Sequence, residues 1–185
     1  MAPPPGSGGD FDQGETVIKN AVLVLPCLLA CGLAVPAMAA EIRMQSPVPF
    51  SESSIIADNV KAECRLDARL AEFVSQHAAM FGNQILLTAE APDTAEGAVL
   101  QMEIVDAQSS GNAFTGHHKV TSVRGVLFKD GTRVGGFTAR RISRGGFGGG
   151  FKGSCSVLGR TIDVIGEDVG QWLAAPVDGA KLGDL

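Results

Sequence analysis

Cys64 and Cys155 are the side chains of this sequence whose chemistry is easiest to predict. The other two cysteines, Cys27 and Cys31, lie in an apolar stretch near the N-terminus, so only this pair belongs to the folded part. Two cysteines in an oxidising compartment form one disulfide more often than they act as reactive thiols. We therefore predict a Cys64–Cys155 bridge. A catalytic thiol with a histidine partner is the alternative interpretation.

Basic residues are concentrated between residues 119 and 152, where eight lysines and arginines stand against one acid, Asp130. Such a segment suits an anionic partner: a lipid head group, an acidic cell-wall polymer or the acidic face of an envelope protein. The residues predicted to bind this partner are Arg140, Arg141, Arg144 and Lys152. The alternative is that these charges form salt bridges within the protein. Because adjacent strand residues point to opposite faces, Arg140 and Arg141 are not expected to form one clamp.

No motif for catalysis or for a metal stands out. The glycine-rich stretch 144–154 lacks the Walker pattern, because Lys152 is followed by Gly153 rather than by Ser or Thr. His117 and His118 are adjacent in a predicted strand, so their side chains diverge and make a poor metal site. We expect no cofactor, no metal and no enzymatic activity, with a periplasmic hydrolase of unrecognised site as the alternative function. Sparse aromatic residues also argue against nucleic-acid binding.

Residues 20–40 have the composition of an export signal. They form an apolar run that ends in Ala37, Met38 and Ala39, the small-residue pattern of a cleavage site. We predict that residues 1–40 are removed, that the mature chain starts near Ala40 or Glu41, and that it is periplasmic, with no transmembrane span. An uncleaved membrane anchor is the alternative.

Two further alternatives concern the same N-terminal segment. The stretch from Leu28 to Gly32 resembles the lipobox of bacterial lipoproteins, which would make Cys31 the lipidation site and the protein an outer-membrane lipoprotein. The acidic residues before Val17 are unusual ahead of a signal peptide, so translation could start at Val17 rather than at Met1.

The remaining chain alternates between helical and strand patterns. We predict a linker over 41–55, in which 48–50 could add a short edge strand, and a single domain over 56–176. A helix is predicted from Asp58 to Phe81, and a second helix from Ser154 to Pro176 carries an apolar stripe with spacings of three and four. The predicted strands are 84–89, 98–106, 117–129 and 132–143, with Asp130-Gly131 as a hairpin turn and another turn at 109–116. Residues 177–185 are predicted to be a loose tail.

These patterns predict an α+β fold: a two-layer sandwich with a mainly antiparallel sheet of three to five strands and two helices packed on one face. Several segments resemble those of a group of uncharacterised bacterial envelope proteins. They are VPF at 48–50, CRLDARL at 64–70, GGFTARRISRGG at 135–146, GSCSVLGR at 153–160 and GEDVGQWL at 166–173. The resemblance implies an envelope location and supplies no activity that could be carried over to this chain. The function expected from the sequence is therefore that of an exported binding or scaffolding domain.

Overall fold

The computed structural model of the chain describes residues 41–112, 116–143 and 153–185, and the side chains at 110–117 lie outside this description. The predicted signal segment, and with it Cys31, also lies outside the described residues. The described ranges contain nine elements in this order: β1 (Glu41–Gln45), α1 (Asp58–Cys64), α2 (Leu66–Met80), β2 (Gln84–Thr88), β3 (Ala98–Asn112), β4 (Gly116–Lys129), β5 (Thr132–Ser143), α3 (Ser154–Ala174) and β6 (Ala180–Gly183).

The strands form one mixed sheet in the order β2-β1-β3-β4-β5-β6. The pairs β3–β4 and β4–β5 are antiparallel, whereas β1 runs parallel to both of its neighbours and β6 runs parallel to β5. The helices α2 and α3 pack on each other and on one face of this sheet. The α+β class is confirmed, but the predicted count of three to five strands and the mainly antiparallel arrangement are wrong.

The segment 41–55, predicted as a linker, contributes the strand β1 to the middle of the sheet. Ile42 and Met44 of this strand are buried in the core, and Glu41–Gln45 pairs with β2 along its whole length. Farther along, Val48 is buried and Phe50 forms an isolated parallel bridge with Ile104. The alternation of apolar Ile42 and Met44 with Arg43 and Gln45 is the period of a strand with one buried face. The strand is only five residues long, so its pattern is weak.

The predicted helix over 58–81 is divided into two helices at Arg65. This residue has a left-handed backbone, with φ 47° and ψ 42°, and it ends α1 and precedes α2. A non-glycine residue rarely adopts this conformation, and nothing in the residue type Arg signals it. The break lets Cys64 close the first helix while Leu66, Leu70 and Val74 of the second helix remain in the core.

The central hairpin of the sheet matches the predicted strands and extends beyond them. β5 covers the predicted residues 132–143, and the turn residues Asp130 and Gly131 both have positive φ, as a tight two-residue turn requires. The bounds predicted for the turn, 109–116, are wrong, because β3 continues to Asn112 and β4 starts at Gly116; residues 113–115 lie outside the described part of the chain. A register shift between Ile104 and Asp106 changes which side chains of β3 face the helices.

The C-terminal residues predicted as a loose tail form an edge strand. Gly135 and Gly136 of β5 leave room for the chain after α3, since a Cβ at Gly135 would lie 3.0 Å from the carbonyl oxygen of Val177. The indole Nε1 of Trp172 donates to that same oxygen at 3.1 Å. This approach leads the chain into β6, which pairs with β5 from Phe137 to Arg140.

The disulfide between Cys64 and Cys155 is present, with the two Cα atoms 4.8 Å apart. It joins the last residue of α1 to the first turn of α3 across a sequence separation of 91 residues. Farther along α3, Gly166 packs directly against α2, where a Cβ would lie 2.8 Å from the Cβ of Phe73. The apolar stripe predicted for this helix is confirmed, because Leu158, Ile162, Ile165 and Val169 are fully buried. Among the helices that the structure describes, none has the length and apolar character needed to cross a membrane.

Candidate functional site

No helix of the described residues packs on the second face of the sheet, which is termed the open face. In β3, Leu100, Met102 and Ile104 point into the core, so Gln101 and Glu103 point the other way, as the alternating sequence predicted. Register extends this face to the neighbouring strands. Its polar members include Arg43, Gln45, Gln101, Glu103, Asp106, Ser122, Arg124, Thr138, Arg140 and Lys181.

A depression of about 540 Å³ lies on this side of the sheet. It is bounded by the connection 89–97, which passes from β2 to β3 and is held over β1 by Arg43. The Arg43 guanidinium donates to the carbonyl oxygens of Asp93, at 3.1 Å, and of Glu96. The polar residues lining the depression are Gln45, Gln101, Glu103, Arg124, Arg133 and Thr138. Its volume is in the range of small-molecule sites, but it lies on the surface of the sheet rather than in a deep cleft.

Arg141, one of the four residues predicted to bind an anionic partner, faces the helices instead. Its guanidinium donates two hydrogen bonds to the Asp168 carboxylate of α3, at 2.8 and 2.5 Å, and lies 3.6 Å from Asp184. The hydrogen bond with Asp168 raises the pKa of Arg141 above its ordinary value, so the group is charged at every physiological pH. Arg141 is therefore paired within the fold, as in the alternative of internal salt bridges, and its binding to an anionic partner stays a prediction.

Arg140, the neighbour of Arg141, is exposed on the open face, as expected for consecutive strand residues. The other two predicted residues, Arg144 and Lys152, lie outside the described part of the chain. β6 adds a cation that sequence reasoning missed, since Lys181 was assigned to a loose tail. Lys181 pairs with Thr138 and Gly183 pairs with Arg140, so Arg140 and Lys181 are diagonal neighbours on one face.

Two other arginines of the basic segment are paired within the fold. Arg124 donates to Glu103 on the adjacent strand, and Arg133 donates to Asp178 at 2.5 Å. The hydrogen bond from Arg133 lowers the pKa of the Asp178 carboxyl. The pair therefore stabilises the folded state fully at pH values above the ordinary aspartate pKa, and this stabilisation is lost as the pH falls through the lowered pKa. By contrast, no described carboxylate forms a salt bridge with Arg140 or Lys181.

A polar ladder, defined as Ser154, Thr161 and Asp168, joins α3 to three successive strands. Ser154 Oγ lies 3.1 Å from Ser109 Oγ of β3, Thr161 Oγ1 lies 2.7 Å from Thr121 Oγ1 of β4, and Asp168 binds Arg141 of β5. Ser154 therefore contacts the sheet rather than capping its own helix, whose N-cap is Gly153. The constant spacing of seven residues beside the apolar stripe is the signal that could have revealed this ladder.

The histidines form no described catalytic arrangement. His77 Nε2 lies 2.9 Å from Asp163 Oδ1 at the contact between α2 and α3, and its Nδ1 is buried with no described partner. No described serine, threonine or cysteine is hydrogen-bonded to this pair. The side chain of His117 lies outside the description, and the described residues contain no group of three or more potential metal ligands.

No protein-family model and no curated protein matches the sequence. Among solved structures, the chain is similar to a minor lipoprotein from Acinetobacter baumannii, with 11% identity, a TM-score of 0.42 and coverage of 74% of this chain and 93% of that chain. It is also similar to the PelC dodecamer from Paraburkholderia phytofirmans, with 12% identity, a TM-score of 0.45 and coverage of 71% and 89%. A hypothetical protein from Chlamydia trachomatis shows 13% identity, a TM-score of 0.46 and coverage of 74% and 96%. At these values the similarities carry no functional inference.

Proposed function

We propose that the mature chain is an exported, disulfide-linked envelope domain that binds an anionic component of the periplasm or cell envelope through its open face. The observation that carries the proposal is the pair Arg140 and Lys181, two exposed cations without a described acidic partner on one side of the sheet. Diagonal neighbours in a sheet are about 7–8 Å apart, so both cations act on the same anionic surface.

The three internal ion pairs of the basic segment support this choice of residues. Arg124, Arg133 and Arg141 have acidic partners in the fold, so they add little attraction for an external anion. Attraction to an anionic surface amounts to about 1 kcal/mol for each exposed cation and acts within roughly a Debye length. Two free cations therefore predict weak, salt-sensitive binding, which suits contact with an extended surface that presents many charges.

Reversing both charges, in the variant R140E/K181E, should weaken binding to vesicles that contain phosphatidylglycerol by at least about tenfold, since each reversal removes an attraction and adds a repulsion. Co-sedimentation of the mature protein with these vesicles measures the effect, and a soluble anionic cell-wall polymer gives a second arm. Wild-type binding should also decrease as the salt concentration rises.

The matched control is R160E/K129E, which makes the same change in net charge at two exposed residues outside the open face. This control should bind as the wild type does. The proposal is wrong if both double variants lose binding equally, or if the wild type binds neither the vesicles nor the polymer at low salt.

A further inference from the structure

Two serines and a lysine meet where the hairpin of β3 and β4 contacts the start of α3. Lys119 lies opposite Ser109 in the register of the two strands, and its Nζ is hydrogen-bonded to Ser109 Oγ. Ser109 Oγ in turn lies 3.1 Å from Ser154 Oγ. A serine hydroxyl in contact with an amine is the arrangement of a nucleophile with its base, because the amine can take the hydroxyl proton while the oxygen attacks.

The surroundings of Lys119 suit a general base. Only 5% of its surface is exposed, and the salt bridges of the described residues all involve other side chains. The neighbouring segments 110–117 and 144–152 contain no Asp or Glu. Burying a charge is costly unless a counter-charge is paired with it. Among the described residues, therefore, no ion pair holds a proton on this amine, as a lysine that accepts one requires.

Ser109 is accessible to a small molecule, although its base is not. The residue is exposed and lines a pocket of about 580 Å³, a volume within the range of small-molecule sites. Ser154 lines the same pocket, whereas Lys119 does not. A molecule in the pocket would therefore contact the two hydroxyls directly, while the amine stays shielded from solvent.

The remaining pocket lining restricts the class of molecule that fits. Ile55 and Val60 contribute apolar surface, and the only charged residue in the described lining is Glu63, whose carboxylate repels anions. The pocket therefore favours an uncharged molecule with an apolar part.

We propose that Ser109 is a catalytic nucleophile and Lys119 its general base, and that the pair hydrolyses uncharged carboxylic esters bound in this pocket. This activity is that of the hydrolase named above as the alternative function. Neither residue belongs to the open face, so the activity and the proposed envelope contact can fail separately.

The reaction has two halves. In the first, Ser109 Oγ attacks the ester carbonyl carbon, and its proton passes to Lys119 Nζ as the new C–O bond forms. Because Ser154 Oγ lies beside Ser109 Oγ, its hydroxyl is placed to donate a hydrogen bond to the oxyanion. The bond to the alcohol then breaks, and the alcohol oxygen takes the proton from Lys119. In the second half, water attacks the acylated Ser109 with the same base, which releases the carboxylic acid and restores both side chains.

A fluorophosphonate probe tests the nucleophile directly, because an activated serine displaces its fluoride and keeps the phosphonyl group. We expect the mass of the mature protein to increase by one adduct, which peptide mapping should place on Ser109. The variant S109A should not react. The control S156A, which removes an exposed hydroxyl in the first turn of α3, should react as the wild type does. An adduct on another residue, or no adduct on the wild type, would overturn the proposal.

The variants K119M and K119R test the base. Methionine keeps most of the apolar stem without the amine, and arginine keeps the positive charge but accepts no proton. Both variants should slow the labelling of Ser109, and the hydrolysis of p-nitrophenyl acetate, at least about tenfold. The control K129M removes an exposed lysine at the other end of β4 and should change neither rate.

Circular dichroism shows whether the Lys119 variants are folded. If they are not, S109A decides the question, because the side chain that it removes is exposed. Folded K119M or K119R with the wild-type labelling rate, or S109A with the wild-type rate of ester hydrolysis, would contradict the assigned roles.

Discussion

Replacing Met44 with Asp is expected to destabilise the domain strongly. Met44 is 1% exposed in the middle of β1, where it lies between Leu87 of β2 and Leu100 of β3. An aspartate at this place would bury a carboxylate with no described cation beside it, which costs several kcal/mol. Since domains of this size are stable by about 5–15 kcal/mol, we expect a decrease of about 4 kcal/mol or more in the free energy of unfolding. Urea denaturation followed by circular dichroism measures it.

Leu86→Asp is the matched control for this substitution. Leu86 lies in the neighbouring strand β2, but it is 45% exposed, so its aspartate remains hydrated. We expect the control to change the free energy of unfolding by less than about 1 kcal/mol. If Met44→Asp were as mild as Leu86→Asp, residues 41–55 would be the linker that the sequence suggested and β1 would not be a structural strand.

Removal of the disulfide is the second change with a large expected effect. Replacing both Cys64 and Cys155 with Ser should lower the free energy of unfolding by about 2–4 kcal/mol, because the unfolded chain without the bridge has a higher conformational entropy. The measurement is again urea denaturation, without reductant. The disulfide joins α1 to α3. In the variant, a protease should therefore cleave α1 earlier than it cleaves the rest of the domain.

Single substitutions provide the control for the bridge. Cys64→Ser and Cys155→Ser each break the same bond, so either one should destabilise the protein nearly as much as the double variant does. The wild type treated with reductant should match them. If the two single effects added up in the double variant, the cysteines would be acting as separate buried side chains rather than as a bridge.

The elements that could be predicted from the sequence are those with strong local signals. The stripe of α3 repeats over five turns, and the residues Asp130 and Gly131 specify a tight turn that fixes the register of β4 and β5. The pairing of Cys64 and Cys155 was predictable for a different reason, because they are the two cysteines outside the N-terminal apolar segment.

Elements defined by distant pairing could not be predicted in the same way. β1 is five residues long and β6 is four, and each is held by parallel hydrogen bonds to strands far away in sequence. Such short segments have too few residues to show a period. The break at Arg65 is made by an arginine with a left-handed backbone, and this residue type does not signal such a conformation.

The candidate sites show the same limit. The excess of basic residues between 119 and 152 can be read from the sequence. How strongly these residues attract an external anion depends on which acidic side chains lie near them in the folded chain. Asp168 of α3 pairs with Arg141, and Asp178 of the chain after α3 pairs with Arg133, so both arginines attract an external anion less strongly. Lys181 joins the open face only because β6 pairs with β5.

The central claim is that this chain is an exported envelope domain with one internal disulfide. Intact-mass spectrometry of the protein recovered from the periplasm tests export, processing and oxidation together. The account predicts the mass of a chain that starts at Ala40 or Glu41, two hydrogens lighter than the reduced form, with no free thiol after unfolding. A mass that retains residues 20–40, or two thiols that react with an alkylating reagent, would contradict it. A diacylated mass beginning at Cys31 would contradict the soluble periplasmic form and identify an outer-membrane lipoprotein instead.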